Sequence, residues 1–427
     1  MSSIGTVNRA SDDKDDPTHM KVIPKQVRGV GFGVPYVETF PQQKMRELWE
    51  SCDFNFANGI LFDTINSPDE HGEETRPLLC MMQTRTTEKS SSEPSSGYEY
   101  MFDPLYDGHY QFEYPPHTAK DVNDSLKCFC LRVAYQGSAF CGWQTQRGYD
   151  KQPSVQKTLE NYLDPLFVTV KASEKRNKSA NLPVAGRTDA GVHAIGQICR
   201  FRTHHQNLTA RDIQQYLSKK ISEGPSASFL KVTDVVEVNR AFHPTFTTSS
   251  RAYVYLIDVQ STGFWSLNDH LDEKVSYLNK LLMQVEGKEL NYFGLSYGKP
   301  QTQDFLCTLH HARARLVRRP ETSSSGYVDT AIADQNAVDA AICIELVGSR
   351  FLRRMVRLLV QATMSVVAQE WSNKEKDHIS DVAFLENHLD MPEDAFLNQV
   401  LQCDRSLVSR VAPPHGLLFV GARLLAI

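Results

Sequence analysis

The sequence contains no apolar run long enough to cross a membrane, since a spanning helix takes about 18 uncharged residues. Its most apolar run, residues 355–367, is interrupted by Arg357 and by polar side chains. The first 20 residues have acidic side chains and no apolar segment, which argues against a secretory signal and a mitochondrial presequence. We therefore expect no membrane association and a cytoplasmic or nuclear protein, with an organelle as the alternative.

Cysteine is scarce and irregularly spaced. Nine cysteines occur in 427 residues, an odd number, and no two of them form a C-x-x-C pair. This pattern predicts neither a disulfide framework nor a zinc site. We expect buried thiols in a reducing compartment and no bound metal.

The net charge of −5 conceals an uneven distribution. Residues 1–125 carry 11 basic and 21 acidic side chains, whereas residues 126–427 carry 35 basic and 30 acidic ones. Residues 84–98 are rich in Ser, Thr and Glu and are typical of a flexible linker. The sequence thus predicts an acidic, partly disordered extension over residues 1–120 and a mildly basic body suited to RNA or phosphate.

The body alternates between helical and strand patterns without strict βαβ order, which favours an α+β fold. Ser154 and Thr209 are expected to begin helices. Further helices are predicted over residues 271–285 and 351–369, with a polar insertion at about 371–397. The strands are predicted at residues 126–135, 168–172, 197–202, 229–236, 251–259, 312–317, 338–347 and 417–424.

The densest polar cluster is GRTDAGVH, from Gly186 to His193. Glycines permit close approach of a ligand to the backbone. Arg187 is expected to hold the Asp189 carboxylate ionised or to grip a phosphate. An ionised aspartate in a partly dry cleft can act as nucleophile or general base. The structural alternative is a capped turn with a local ion pair.

Five other segments occur with this cluster in a fixed order: LRVAYQGSAFCGWQTQ, PSVQKTLE, AFHPTFTTSSRAYVYLI, GSRFLRRMVRLLV and APPHGLLFVGARL. Together with GRTDAGVHA they resemble the motifs of the TruA family of tRNA pseudouridine synthases. The resemblance covers residues 126–427, about 70% of the chain.

The resemblance implies the pseudouridine synthase fold: two related halves, each a mixed or antiparallel sheet with helices on one face, around a central basic cleft. The halves are expected at residues 121–260 and 261–427. It also implies an isomerase that converts uridine to pseudouridine at positions 38–40 of the tRNA anticodon stem-loop. The expected partners are tRNA and a second copy of the chain, and no cofactor is needed.

Carried over by motif, Asp189 matches the family's catalytic nucleophile, which attacks the uracil ring or the ribose C1′. Arg187 matches the arginine that pairs with it, and Arg357 a basic residue that ion-pairs near it. Tyr253 matches the tyrosine that stacks on the target base and is a candidate base for the C5 proton. On a strand, Arg251, Tyr253 and Tyr255 share one face, which suits a cleft wall.

The predicted helix from residue 351 places Arg350, Arg353, Arg354 and Arg357 in one basic stripe, which suits an RNA backbone. A solvated charged face is the alternative for Arg353 and Arg354. Substrate contacts are expected from Arg251, His193, Arg350, Arg353 and Arg354, although an orienting or packing role is the main expectation for His193.

The chain departs from the family at Thr245, where arginine is usual. That arginine is associated with RNA engagement and base extrusion, a role that Arg240 is a candidate to supply. Two other functions therefore stay open: an RNA-binding protein without catalysis, and a glycosylase that releases uracil. Product analysis separates pseudouridine, unchanged uridine and an abasic site.

Overall fold

The computed structural model describes residues 41–51, 63–64, 126–144, 152–168, 180–238, 240–259, 263–266, 270–298, 304–318, 340–377 and 411–424. The predicted linker at 84–98, residues 169–172 of a predicted strand, and residues 378–397 of the predicted insertion lie outside these ranges.

One mixed sheet dominates the described residues, with the strand order β1-β7-β8-β5-β9-β3-β2-β4 and β6 paired to β7. Strands β3 and β9 run parallel, and the other neighbours run antiparallel. The strands are β1 (Asp63–Thr64), β2 (Lys127–Tyr135), β3 (His193–Thr203), β4 (Leu230–Val238), β5 (Thr248–Asp258), β6 (Glu289–Asn291), β7 (Leu306–Arg318), β8 (Ala340–Gly348) and β9 (Leu417–Leu424).

The α+β class is confirmed, but the described strands of both predicted halves join in a single sheet. Strand β9, the last in the sequence, lies between β5 and β3 and bonds to both. Strand β5, which precedes the predicted boundary at residue 260, pairs with β8 and β9 from beyond that boundary. The sheet is therefore continuous where the sequence suggested a division.

Five α-helices accompany the sheet in the described residues: α1 (Gln42–Ser51), α2 (Val155–Leu163), α3 (Ala210–Ser222), α4 (Leu271–Met283) and α5 (Met355–Asp377). The predicted starts of α2 and α3 are confirmed by their caps. Ser154 Oγ accepts the Lys157 amide at 3.1 Å. Thr209 and Asp212 form a reciprocal capping box. Each cap satisfies amides that the first helical turn leaves without partners.

Helix α5 differs from the prediction at both ends. It begins at Met355, four residues later than expected, and runs to Asp377, through the first part of the predicted insertion. Arg354 has a φ of 59°, a left-handed conformation that a right-handed helix cannot include. Arg350, Arg353 and Arg354 therefore precede the helix, and the predicted four-arginine helical stripe is wrong.

Helix α1 lies within the predicted N-terminal extension yet packs on the folded body. Met45 and Trp49 are buried, and Trp49 Nε1 donates to the Ala194 carbonyl at 3.2 Å. Lys44 Nζ pairs with Asp258 Oδ1 at 2.9 Å. This segment of the extension therefore belongs to the body, although nothing in its sequence pattern indicated so.

The body contains one continuous hydrophobic core. Every residue of β8 is buried, as expected for a strand covered on both faces, whereas β4 at the end of the strand order is partly exposed. The six described cysteines are buried, as expected. Among the described residues, no helix is long and apolar enough to span a membrane.

Candidate active site

The GRTDAGVH segment forms a loop that runs directly into β3 at His193. Thr188 anchors it, because its Oγ1 lies 2.7 Å from the Tyr135 hydroxyl and its carbonyl accepts the Trp143 amide at 3.1 Å. Gly142, with a φ of 103°, allows this approach, since a Cβ there would lie 2.8 Å from the Thr188 carbonyl oxygen. The loop backbone is thereby fixed from the protein side.

A second layer of hydrogen bonds supports the same loop. Gln197 Nε2 donates to the Gly186 carbonyl at 2.7 Å and to the Tyr135 hydroxyl at 3.3 Å. Burial raises the pKa of Tyr135 to about 12, so its phenol keeps a proton to donate to Thr188. The sequence motifs included Tyr135, but its support of the loop depends on a pairing of β2 with β3 that no local pattern reveals.

Asp189 emerges from the loop beside two arginines. Its Oδ2 accepts a hydrogen bond from Arg357 Nη1 at 3.1 Å and lies 3.7 Å from Arg354 Nε. The Asp189 side chain keeps 30% of its surface exposed, whereas that of Arg357 keeps 10%. One carboxylate oxygen is thus engaged by cations on the buried side, while the side chain stays open to a ligand.

The closing motif APPHG holds Arg357 in place. Arg357 Nε donates to the Ala412 carbonyl at 2.6 Å, and the Ala412 amide donates to the Arg357 carbonyl at 3.3 Å. Burial lowers the pKa of the Arg357 guanidinium, an effect that the adjacent Asp189 opposes. The predicted ion pair between Arg357 and Asp189 is present in the structure.

Arg354 approaches Asp189 from the left-handed turn that precedes α5. Its guanidinium carbon lies 4.0 Å from the ring centroid of Tyr297, a cation–π distance. Arg354 Nε is buried without a hydrogen-bond partner among the described residues. Non-glycine residues with positive φ are rare and concentrate at functional sites. Tyr297 was not predicted from the sequence, because it lies outside all of the motifs named above.

Tyr253 lies beneath the loop with 7% of its surface exposed. Its ring contacts Phe351 and Phe419 edge-on, with both pairs of centroids 5.0 Å apart. Its hydroxyl lies 3.5 Å from where a Cβ would stand on Gly186. Burial raises the pKa of this phenol, which therefore holds its proton at neutral pH.

Arg251, predicted to contact substrate, donates to three backbone carbonyls of the protein. Its Nε donates to the Ala185 carbonyl at 3.0 Å, its Nη1 to the Ser349 carbonyl at 2.8 Å, and its Nη2 to the Thr245 carbonyl at 3.0 Å. Arg251 therefore joins three segments around the loop. It lies on the same face of β5 as Tyr253, which places it beside the loop.

Arg187 does not pair with Asp189, contrary to the prediction. Its side chain is exposed and forms no ion pair among the described residues. Arg354 and Arg357 pair with the carboxylate instead. Both the spacing in the sequence and the family motif had indicated Arg187.

The remaining predicted residues divide between interior and surface. His193 is buried and its Nδ1 accepts the Gly137 amide at 3.3 Å. Burial, with His415 nearby, lowers its pKa to about 3, so it is neutral and serves packing.

The other predicted residues lie nearer the surface. Arg350 pairs with Asp304 at 2.7 Å, and Arg353 is exposed. Thr245 Oγ1 donates to the Val184 carbonyl at 2.8 Å, a structural tie.

The fold and site together define an α+β protein with a carboxylate between two arginines at the entrance to a central strand. The chain is 26% identical over 303 residues to "tRNA pseudouridine synthase A" of Leptospira biflexa, covering 69% of this chain and 92% of that protein. It is 29% identical over 294 residues to the protein of that name from Pseudothermotoga lettingae, covering 68% and 97%. For that of Thermotoga sp. strain RQ2, the identity is 27% over 302 residues, covering 69% and 98%.

No family model matches the chain. The similarity to these individual proteins confirms the resemblance to the TruA family first seen in the motifs.

Proposed function

We propose that this protein is a tRNA pseudouridine synthase in which Asp189 is the nucleophile. The arrangement of Asp189 carries the proposal: a partly exposed carboxylate hydrogen-bonded to Arg357 and faced by Arg354, on a loop fixed from beneath by Thr188. A nucleophile held in one geometry lowers the entropic part of the barrier. The names of the similar proteins agree with this activity.

The reaction is an isomerisation in which atoms balance without a redox partner. A carboxylate oxygen of Asp189 attacks either the ribose C1′ or the uracil ring, and the C1′–N1 glycosidic bond breaks. The uracil turns within its pocket, a new bond joins C5 to C1′, and the bond that Asp189 had formed to C1′ or to the ring breaks, which restores the carboxylate. C5 then loses its proton and N1 gains one. With Oδ2 bonded to Arg357, Oδ1 is the oxygen we assign to attack.

Tyr253 forms a wall of the uracil pocket in this proposal. Because its buried phenol is protonated at neutral pH, it cannot act as a resting base. It can receive the C5 proton only while it passes its own proton to another acceptor. We therefore assign it proton relay together with the predicted contact to the base.

Binding of the RNA backbone falls to the arginines that the protein leaves exposed. Arg187 and Arg353 are both exposed to solvent. Guanidinium groups bind phosphates by charge and by paired hydrogen bonds. We propose that they line a basic cleft for the anticodon stem-loop, with positions 38–40 as targets and a homodimer as the active form.

The proposed activity is tested with full-length protein and unmodified tRNA transcripts. Digestion to nucleosides after incubation is expected to yield pseudouridine, and mapping is expected to place it at positions 38–40. Unchanged uridine in bound tRNA supports the non-catalytic alternative. Free uracil with abasic sites supports a glycosylase. Pseudouridine elsewhere in the tRNA keeps the chemistry and overturns the assigned positions.

A further inference from the structure

The turn between β4 and β5 exposes an aromatic ring that the mechanism above does not use. Phe246 is 78% exposed, far more than the other large apolar side chains exposed in the described residues, which are Leu306 (48%), Tyr297 (44%) and Met283 (41%). Its ring lies against that of His243, with centroids 4.4 Å apart and planes tilted by 33°. The two rings form a small aromatic surface open to solvent.

The turn that carries these rings is held rigidly. The His243 carbonyl accepts the amides of Phe246 at 3.0 Å and Thr247 at 2.8 Å, and also the Thr247 hydroxyl at 2.8 Å. Thr248 Oγ1 donates to the Pro244 carbonyl. The exposed ring is therefore presented by a fixed backbone, so little conformational entropy remains to be lost there on binding.

The surroundings of the aromatic pair are cationic. Arg200 Nη1 donates to the Phe242 carbonyl at 2.7 Å, and Arg202 Nη2 donates to the carbonyl of Arg240. Burial, followed by the charges of Arg200 and Arg202, lowers the pKa of His243, which is consequently neutral at pH 7. A neutral aromatic pair beside arginines combines the two elements that bind single-stranded nucleic acid, an aromatic surface and a positive field.

The same turn is tied to the catalytic loop. Thr245, between the two rings in sequence, donates to the Val184 carbonyl at 2.8 Å, and Arg251 bridges the Thr245 and Ala185 carbonyls. Val184 precedes Asp189 by five residues, which span at most about 18 Å when extended. The aromatic pair thus lies within a few nucleotides' reach of the carboxylate.

We propose that His243 and Phe246 form a stacking platform for an unpaired RNA base near the uridine that reaches Asp189. The proposal rests on the proposed function for the identity of the RNA. The neighbouring arginines favour RNA over a second copy of the chain as the occupant, because a single ring set among cations is a poor apolar interface. The platform uses the segment in which Thr245 replaces an arginine, and supplies binding there through stacking instead of charge.

The test compares Phe246→Ala with Met283→Ala, which removes an exposed apolar side chain from the end of α4. Affinity for a tRNA transcript is measured at several salt concentrations. We expect Phe246→Ala to weaken binding roughly 5- to 150-fold, the range that corresponds to one lost base stack. The slope of affinity against salt should not change, because no ion pair is lost. Met283→Ala should bind as the wild type does.

Phe246→Trp supplies a second, spectroscopic readout. The four natural tryptophans are buried, with 1–6% of their surfaces exposed, so a tryptophan at 246 is the one open to an aqueous quencher. This variant should keep wild-type affinity, and RNA should protect the new indole from the quencher. An indole that stays equally accessible in the complex would contradict the platform.

The outcomes separate this proposal from the proposed function. If the wild type forms pseudouridine and Phe246→Ala matches Met283→Ala in affinity and rate, the platform is overturned while the enzyme stands. If the wild type forms no pseudouridine but Phe246→Ala loses affinity, the platform stands and the enzyme does not. If Phe246→Ala instead dissociates a dimer at unchanged RNA affinity per subunit, the surface is a self-interface and the proposal is wrong.

Discussion

The arginines around Asp189 form two groups that the sequence does not distinguish. Arg357 is buried and Arg251 is partly buried, and each donates to backbone carbonyls of the catalytic loop or its neighbours. Arg187 and Arg353 lie in equally polar motifs but remain exposed. Buried arginines in these motifs hold the protein structure together, whereas exposed arginines remain available to bind the substrate.

The two groups of arginines should differ most in stability and reaction rate when Arg357→Met is compared with Arg353→Met. Arg357→Met removes the hydrogen bonds to Asp189 and to the Ala412 carbonyl, so we expect about 2–3 kcal/mol of lost stability. Misplacement of Asp189 should lower the rate on the order of 10²-fold. Arg353→Met should change stability by less than about 0.5 kcal/mol. Urea unfolding and single-turnover rates measure both, and equal effects would erase the distinction.

The buried support of the loop is tested by Tyr135→Phe. The variant removes the hydroxyl that links Gln197 to Thr188, with an expected cost of about 1–3 kcal/mol. Tyr162→Phe is the matched control, because Tyr162 forms a comparable hydrogen bond to Ser226 at 2.9 Å outside the loop. Both variants should lose stability, but only Tyr135→Phe should slow the reaction. A similar slowing in Tyr162→Phe would show that stability alone limits the rate.

The pH dependence of stability should reveal the buried His193. Its pKa of about 3 in the folded protein lies below the reference value of 6.5. The neutral form is therefore favoured by folding, and stability that is present above pH 6.5 is lost as the pH falls toward 3. One such group contributes up to about 1.4 kcal/mol per pH unit. His193→Gln should flatten the curve of unfolding free energy between pH 6.5 and 4.5, and an unchanged curve would contradict the assignment.

The smallest effect is expected at the exposed Arg187. Arg187→Met should leave the unfolding free energy within about 0.5 kcal/mol of the wild type. It should weaken tRNA binding and reduce the slope of log affinity against log salt by about one. Titrations at 50–200 mM salt measure the slope. A wild-type slope together with lost stability would place Arg187 among the arginines that hold the structure together.

Local patterns predicted those elements of the fold whose causes are local. Ser154 and Thr209 cap helices through contacts within one turn, and β9 begins and ends at the predicted residues. The single continuous sheet was not predicted, since it depends on β9 joining β5 to β3 across more than 150 residues of sequence.

The candidate site shows the same limit. Asp189 and Arg357 were identified by motif, and the structure brings them to 3.1 Å. The pairing of Arg187 with Asp189, expected both from sequence spacing and from the family motif, is absent, because Arg354 and Arg357 reach the carboxylate from distant parts of the sequence. Arg354 was assigned to a helical face because the sequence gives no sign of its positive φ, which aims it at Asp189 beside Tyr297.

Substitution of Asp189 tests most directly whether this residue is the nucleophile. Wild type and Asp189→Ala, at concentrations that saturate the same unmodified tRNA, are compared by mapping pseudouridine at single-nucleotide resolution, with affinity measured in parallel. We predict that Asp189→Ala binds the tRNA and forms no pseudouridine at any site that the wild type modifies. Pseudouridine formed by Asp189→Ala at those sites would contradict the proposed role of Asp189 as the nucleophile.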